Sequence, residues 1–533
     1  MASKISYPAE KQSTEKDVEG EFPLPYESQD TLTPDLYDEG SVDPVYQAKA
    51  RVLNRALQEI GMGKYQWGLF VVSGFGWFSD SVWPLLTGLI LSPVINEFHF
   101  NGPFLSLASN IGLLVGAVLW SFGCDIWGRR WSFNLTLFLA SIFGIAAGGA
   151  PNFIGLACLV AILSVGVGGN MPVDSAVFLD FVPSSHQYLL TVLSIWWAIG
   201  QLLGSLVAWP LIANFSCPQN STAVCTRAEN MGWRYLLFAL GGLMLLLSFI
   251  RMFLFNLYES PRFLIGRGRD AEAVSVVHAI AHYNGAESSL SIEDLQAAGK
   301  GAEAKCIEKW KVLSESSSWG AKHVRALFAT PKMAWSSSLL IALWGIIGLA
   351  STLYNSFLPF LLASRGAKFD DATYYTTYRN QVILSVTGIP GAFLAGWAVE
   401  LPYVGRRGTL AISAGEAHGS VFVREHHRAQ FRCAARVELR LFVLQQRASF
   451  LPFSSSLLPF IRVADTGDVD HDRGTGNGLV STATRVFGVI APVIALYANL
   501  ETAVPVYIAG ALIIGAGGLA LLLPFEPRGK ASI

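Results

Sequence analysis

The sequence predicts an all-α membrane protein whose helices cross the bilayer many times, and three observations carry that prediction. Of 533 residues, 52% are hydrophobic and only 14% are charged, against roughly 25% charged in an ordinary soluble domain. The apolar residues fall in continuous runs bounded by charges, Pro or Gly clusters. The 38 basic and 39 acidic side chains nearly cancel to a net charge of -1, so there is no global basic field of the kind that binds nucleic acid. A soluble, nucleic-acid-binding or disordered protein is excluded. At about 20 apolar residues per crossing, the composition suffices for ten to twelve spans.

The elements follow in order along the chain. Residues 1–62 are polar and acid-rich, with no basic segment leading into an apolar one, and read as a disordered tail without a cleavable signal. Six spans are predicted at about 67–91, 104–123, 132–150, 153–173, 188–212 and 235–257, making an N-terminal bundle over 63–257. The alternating charges of 258–332 read as a solvated helical linker. Spans at about 333–361, 382–399, 478–500 and 504–523 then form a C-terminal bundle over 333–524, before a tail at 525–533.

Orientation follows from the distribution of Lys and Arg in short loops. With both termini in the cytoplasm, Arg129, Arg130, Arg262, Arg267, Arg269 and the linker lysines all lie inside, whereas loop 92–103 has no basic residue and loop 214–232 has Arg227. That second loop reads as lumenal or extracellular on independent grounds. Asn214 and Asn220 head glycosylation sequons, and Cys217 and Cys225 lie where an oxidising compartment permits a disulfide. Six scattered cysteines make no cluster of metal-ligand spacing, so neither a metal nor a cofactor is expected.

After the second span stands SFGCDIWGRRW, where Asp125 and the Arg129/Arg130 pair flank a turn at Gly128. A carboxylate ending one helix can there meet guanidinium groups starting the next and lock the two. The same grammar recurs as GWAVELPYVGRRG, with Glu400, Arg406 and Arg407. A motif at matching places in two halves marks an internally repeated transporter.

These residues resemble the major facilitator superfamily, whose loop signature is G-x-x-x-D-R-x-G-R-R; Ser121 and Ile126 depart from it here. YESPRFLIGRGRDAEA, with Glu259 and Arg262, is similar to the P-E-S-P-R-W-L hallmark of sugar-porter-like members, and LLPFEPRGK resembles the family's closing segment. GVGGNMPVDSAVFLDFVP is similar to the synaptic-vesicle-transporter-like, organic-ion branch, and Ile162 stands where many sugar porters carry an arginine. The resemblance implies two six-helix bundles, twelve spans in design, around a central cavity. It also implies a monomeric secondary transporter in the plasma membrane or a vacuolar or vesicular membrane, moving a small solute by alternating access. A non-transporting receptor or vesicle protein on the same scaffold is the rival reading. An enzyme is not expected, since His418, His426 and His427 lie off any span.

Asp80 sits mid-span among apolar residues, and an ionised group there is a functional candidate. In proton-coupled relatives a first-span Asp in a similar position binds the proton, which makes H+ the implied co-substrate; a static hydrogen bond to Ser79, Ser81 or backbone freed by Pro84 is the bland alternative. Asp180 resembles the family's acidic partner of the Arg pair at the gate, and the role of Asp174 stays open. Arg485 either pairs a carboxylate, binds an anionic substrate or snorkels. Trp197, Gln201, Tyr354, Asn355 and Asn110 supply the aromatic and hydrogen-bonding groups that a solute cavity needs.

Residues 415–472 break the pattern, with arginines at 424, 428, 432, 436 and 440 where the ninth span should continue. Their spacing permits an amphipathic interfacial helix. The sharper reading is a reading-frame slip that disrupts spans nine and ten. One nucleotide later, degenerate codons for Phe442 to Arg447 allow Ser/Leu-Phe-Phe-Ser-Asn, and those for Asp465 to Val469 allow Thr-Pro-Glu-Met-Leu, two motifs the family expects there. On that reading the chain is an inactive product of a mis-read gene, and sequencing the transcript across 410–475 separates the two.

Overall fold

The computed structural model describes residues 44–186, 188–217, 225–306, 328, 331–367, 374–375, 377–379, 381–383, 385–386, 389–390, 471–497 and 504–522. In chain order the helices are α1 (Pro44–Ile60), α2 (Lys64–Leu89), α3 (Leu91–Phe98), α4 (Pro103–Trp127), α5 (Arg129–Gly148), α6 (Phe153–Gly168), α7 (Asn170–Phe181) and α8 (Leu189–Val192). They continue as α9 (Ser194–Phe215), α10 (Gly232–Phe249), α11 (Pro261–Gly266), α12 (Asp270–Asn284), α13 (Ile292–Cys306), α14 (Pro331–Ala367), α15 (His471–Tyr497) and α16 (Val504–Leu521). Among the described residues eight segments are long and apolar enough to cross a membrane, and the six in the first half fall where the sequence places them. Ala334–Leu353 and Leu479–Tyr497 are the other two, and Ile508–Leu521 is a shorter apolar helix.

Lipid offers no partner for a backbone N–H or C=O, so each crossing must satisfy them within its own helix. The bundle is accordingly apolar outward and polar inward. Ile111, Val115, Val118, Leu246, Phe253 and Leu254 are exposed, while Ser109, Asn110, Ser164, Asp174 and Gln201 are buried. Small residues allow close approach where apolar burial between helices gives little drive. Any Cβ on Gly112 or Gly116 of α4 would collide with the backbone of α6 at Ala161 and Val165, and one on Gly168 with Leu113.

The fourth span is discontinuous. α6 ends at Gly168, Gly169 follows, and α7 resumes with Pro172 near its start, where a missing N–H costs least. Every residue of α7 is buried, including Asp174 and Asp180. In the second half, α15 packs on α4 and α14, and α14 packs on α2, so the described parts of the two halves meet along α2, α4, α14 and α15.

Contrary to the expectation of a disordered tail through residue 62, α1 is a helix with a buried face of Ala50, Leu53, Ala56, Leu57 and Ile60. Its apolar spacing was masked by its mean polarity, since it packs against α11, α12 and α13 rather than lipid. Lys49 Nζ pairs with Asp270 at 2.6 Å, and Arg262 Nη2 donates to Asn54 Oδ1 at 2.5 Å. Arg262, expected at the gate, thus holds α11 against α1.

At the opposite end of the bundle, Glu97 ties α3, which follows the first span, to the start of the sixth. It accepts from Arg234 Nη2 at 2.6 Å, Arg234 Nη1 at 2.9 Å, Trp233 Nε1 at 3.0 Å and Asn230 Nδ2 at 3.1 Å. Burial alone would push the carboxyl up, but the hydrogen bonds from Arg234, Trp233 and Asn230, with the guanidinium charge, outweigh it and hold Glu97 below the usual carboxylate range. A group depressed on folding stabilises fully above its unfolded pKa and loses that contribution as pH falls through the folded one. Thermal unfolding in detergent is therefore expected to show Glu97→Gln about 2 kcal/mol less stable at neutral pH. The gap should shrink as the pH drops below about 4; a gap that widens on acidification contradicts the assignment. The adjoining loop carries a Cys217–Cys225 disulfide, and Asn214 is exposed in the last turn of α9.

Candidate functional site

A cavity of about 100 Å3 lies where the halves meet. The first half contributes Thr87, Ser106, Ser109, Asn110, Ser194, Trp197 and Gln201; the second contributes Trp344, Ser351, Thr352, Ser356, Ser481, Thr484 and Arg485. Hydroxyls dominate because a Ser or Thr on a membrane helix can return its proton to its own backbone and still offer lone pairs to a solute. Thr87 Oγ1 donates to the Trp83 carbonyl at 2.9 Å and Thr484 Oγ1 to the Val480 carbonyl at 3.0 Å. Ser106 Oγ donates to Ser356 Oγ at 3.2 Å across the halves, and Asn110 Nδ2 donates to the Ser106 carbonyl at 2.8 Å. Of the expected cavity residues, Trp197, Gln201, Asn110 and Arg485 line this space.

Arg485 is the one charged residue among the described lining groups, and its Nη2 donates to Asp80 Oδ1 at 2.8 Å. The Asp80 side chain is 0% exposed and that of Arg485 is 13% exposed, so the guanidinium stands between the carboxylate and the cavity. Ser81 does not take up Asp80, because its Oγ donates to the Phe78 carbonyl at 2.9 Å. Pro84 lies in the turn after Asp80, inside α2, where it has no N–H to return to the Asp80 carbonyl.

A second buried pair lies one helical turn away. Asp174 of α7 bonds Arg251, both side chains fully buried, and the guanidinium lies over the Phe133 ring with its carbon 3.1 Å from the centroid. The Asp174 carboxylate rests against Gly76, where a Cβ would occupy its position, and Asp80 follows at i+4 on the same face of α2. Arg251 reaches inward from a π-helical turn, Ile250–Leu254, at the end of α10; such turns recur at functional sites. Arg251 escapes a reading of the sequence because the sixth span remains apolar on average, although an Arg within a crossing is itself a signal.

At the α5 end, Arg129 forms a buried ion pair with Asp180, joining α5 to α7. Glu259 accepts from the Arg129 backbone N–H at 2.9 Å, placing an acid at the N-terminus of α5. Gly128 has φ +97°, and any Cβ there would lie 2.7 Å from Glu259 Oε2. Arg130 is exposed. At the other end Tyr378 donates to the Leu89 carbonyl, Asn96 Nδ2 donates to Tyr374 Oη at 3.1 Å, and Ser205 and Ser385 hydroxyls lie 3.0 Å apart. These contacts join the described parts of the two halves on the α3 side. The side chains of Asp125, Tyr354 and Asn355, all of Asn220, Glu400, Arg406 and Arg407, and residues 415–470 of the aberrant segment lie outside the described residues.

Apolar spans packed about a polar cavity that the described parts of two halves share are an arrangement suited to a membrane transporter. The model of the "Sugar (and other) transporter" family matches residues 103–356. The MFS siderochrome iron transporter 1 of Ceriporiopsis subvermispora (strain B) is 65% identical over 508 residues, covering 94% of this chain and 95% of that protein. The major facilitator-type transporter hxnZ of Emericella nidulans is 37% identical over 509 residues, covering 92% and 89%. The chain belongs to the major facilitator superfamily, as a multi-pass membrane transporter. Its fold matches the solved proton:xylose symporter XylE, bound to 6-bromo-6-deoxy-D-glucose, with a TM-score of 0.66 at 17% identity, covering 88% of this chain and 98% of XylE.

Proposed function

We propose that this protein is a secondary active transporter that moves a small polar solute or organic ion by alternating access, in symport with H+, and that Asp80 carries the proton. The observation that carries this reading is the Asp80–Arg485 pair, whose members belong to opposite halves and meet at the cavity wall. Rocking one half against the other separates them. An ionised Asp80 stripped of Arg485 would be a bare charge inside the membrane, so separation drives it to take a proton from the side then open. The cavity supports solute binding at the midplane, and the name of the structural neighbour, a proton:xylose symporter, supports proton coupling.

Arg129, Asp180 and Glu259 act as the lock at one end, with Asp125, Gly128 and Arg130 beside them and Glu400, Arg406 and Arg407 as the matching lock of the second half. Tyr354 and Asn355 complete the cavity. That end faces the cytoplasm together with both termini, and the disulfide-bearing loop with Asn214 and Asn220 faces the other side, where glycosylation is available. The test is uptake of a panel (xylose, benzoate, phosphate and nicotinate) into liposomes holding the monomeric full chain, with and without an inward proton gradient. Gradient-driven accumulation of at least one solute is expected; accumulation that ignores the gradient sinks the coupling. No uptake of any kind favours a receptor role or an inactive chain.

A further inference from the structure

We propose that the transported solute is a small aromatic monocarboxylate whose carboxylate takes Arg485 from Asp80, so that anion and proton bind in one exchange; this rests on the symport reading above. Three features of the cavity lead there. Its described lining holds one cationic side chain, Arg485, and no Asp or Glu. Among the described lining residues an organic cation finds no carboxylate, whereas a carboxylate meets a planar fork suited to bidentate hydrogen bonding. Trp197 and Trp344 line the space from opposite halves, beside Pro84, Leu113, Met171 and Ile347. A flat apolar body thus has walls to lie against while its charged end reaches Arg485. The volume of about 100 Å3 is of the same order as the roughly 150 Å3 apolar cavity that holds one benzene ring.

Charge bookkeeping fixes the order of events. Arg485 cannot form its bidentate contact with a carboxylate while it fully neutralises Asp80. As the solute carboxylate bonds Arg485, Asp80 accepts one proton from the open side, leaving one solute anion paired with one guanidinium and a neutral acid behind it. Release on the far side reverses both steps and returns the proton to that solution. One negative charge and one proton cross together, so transport of a monoanion is electroneutral. Among the described residues, the charged groups around Asp80 are Arg485 from α15 and the Asp174–Arg251 pair carried by α7 and the π turn. Arg251 stays with Asp174 inside one half, so it leaves Arg485 as the group both anions compete for.

The experiment is tryptophan-fluorescence titration of the purified full-length protein in detergent with benzoate and with its neutral isostere benzamide. The wild type is expected to bind benzoate at least about tenfold more tightly than benzamide, and more tightly as pH falls over the range where benzoate stays ionised. Asp80→Asn should tighten benzoate binding about tenfold and flatten its pH dependence, because Arg485 is then free of its competitor. The double variant Asp80→Asn/Arg485→Gln, which leaves no unpaired buried charge, should bind the two probes equally. Equal binding of both probes by the wild type, weaker benzoate binding in Asp80→Asn, or a surviving benzoate preference in the double variant overturns the proposal. No gradient is present in this assay, so a failed anion preference leaves proton coupling standing, and loss of coupling in vesicles leaves the anion preference standing.

Discussion

Asp80→Asn is expected to abolish gradient-driven accumulation while leaving exchange of a transported solute across the membrane intact. The amide keeps the size and a hydrogen-bonding oxygen for Arg485, so α2 and α15 still meet beside the cavity. What disappears is the group that must be neutralised each time the halves part. Without it the carrier cycles loaded with solute at either side and no longer takes energy from the proton gradient. Accumulation at equilibrium should fall to the level set by the solute gradient alone. Counterflow of labelled solute should stay within about threefold of wild type, a small effect on the barrier. Measuring both in the same liposomes checks this: loss of counterflow together with accumulation would indicate that Asp80 serves structure or solute binding instead.

The second large effect falls on stability. Asp174→Leu leaves the Arg251 guanidinium fully buried with its carboxylate partner gone, and removing one member of a buried pair costs about 3–5 kcal/mol. That is comparable with the whole stability of many domains. The variant should lose its monodisperse elution and its cooperative thermal transition. The double variant Asp174→Leu/Arg251→Leu should recover most of the loss, because replacing both charges by apolar side chains of similar volume is often neutral or better. Elution profiles and melting midpoints in detergent, measured for both, decide it. A single variant as stable as the double would mean that Asp174 and Arg251 do not hold the broken fourth span in place.

The crossings of the first half were legible because a lipid-facing helix must be apolar over its whole length, and such runs announce themselves without knowledge of their neighbours. The cluster at Gly128 and Arg129 was legible for a different reason: its charges and its left-handed glycine serve one tight turn and lie close together in the sequence. Apart from Asp180, which the family resemblance sets beside the Arg pair, pairs joined only by folding were not legible. Nothing near Asp174 along the chain points to Arg251, 77 positions away, and Glu97 gives no hint of Arg234. Asp80 and Arg485 were each conspicuous as charges in apolar runs, yet their meeting depends on how two halves pack. The helix α1 was missed because a segment that packs on other polar helices needs only a narrow apolar stripe, which averages away beside its Lys, Arg and Gln residues.

The most direct test of proton-coupled transport is the proton movement itself. Liposomes carrying the full chain and a pH-sensitive dye inside, held without an initial gradient, are given a solute that the uptake panel identifies. The wild type should acidify the interior in step with solute entry, and Asp80→Asn should admit the solute with no acidification. Acidification that persists in Asp80→Asn, or solute entry into wild-type liposomes with no proton movement, would contradict the account.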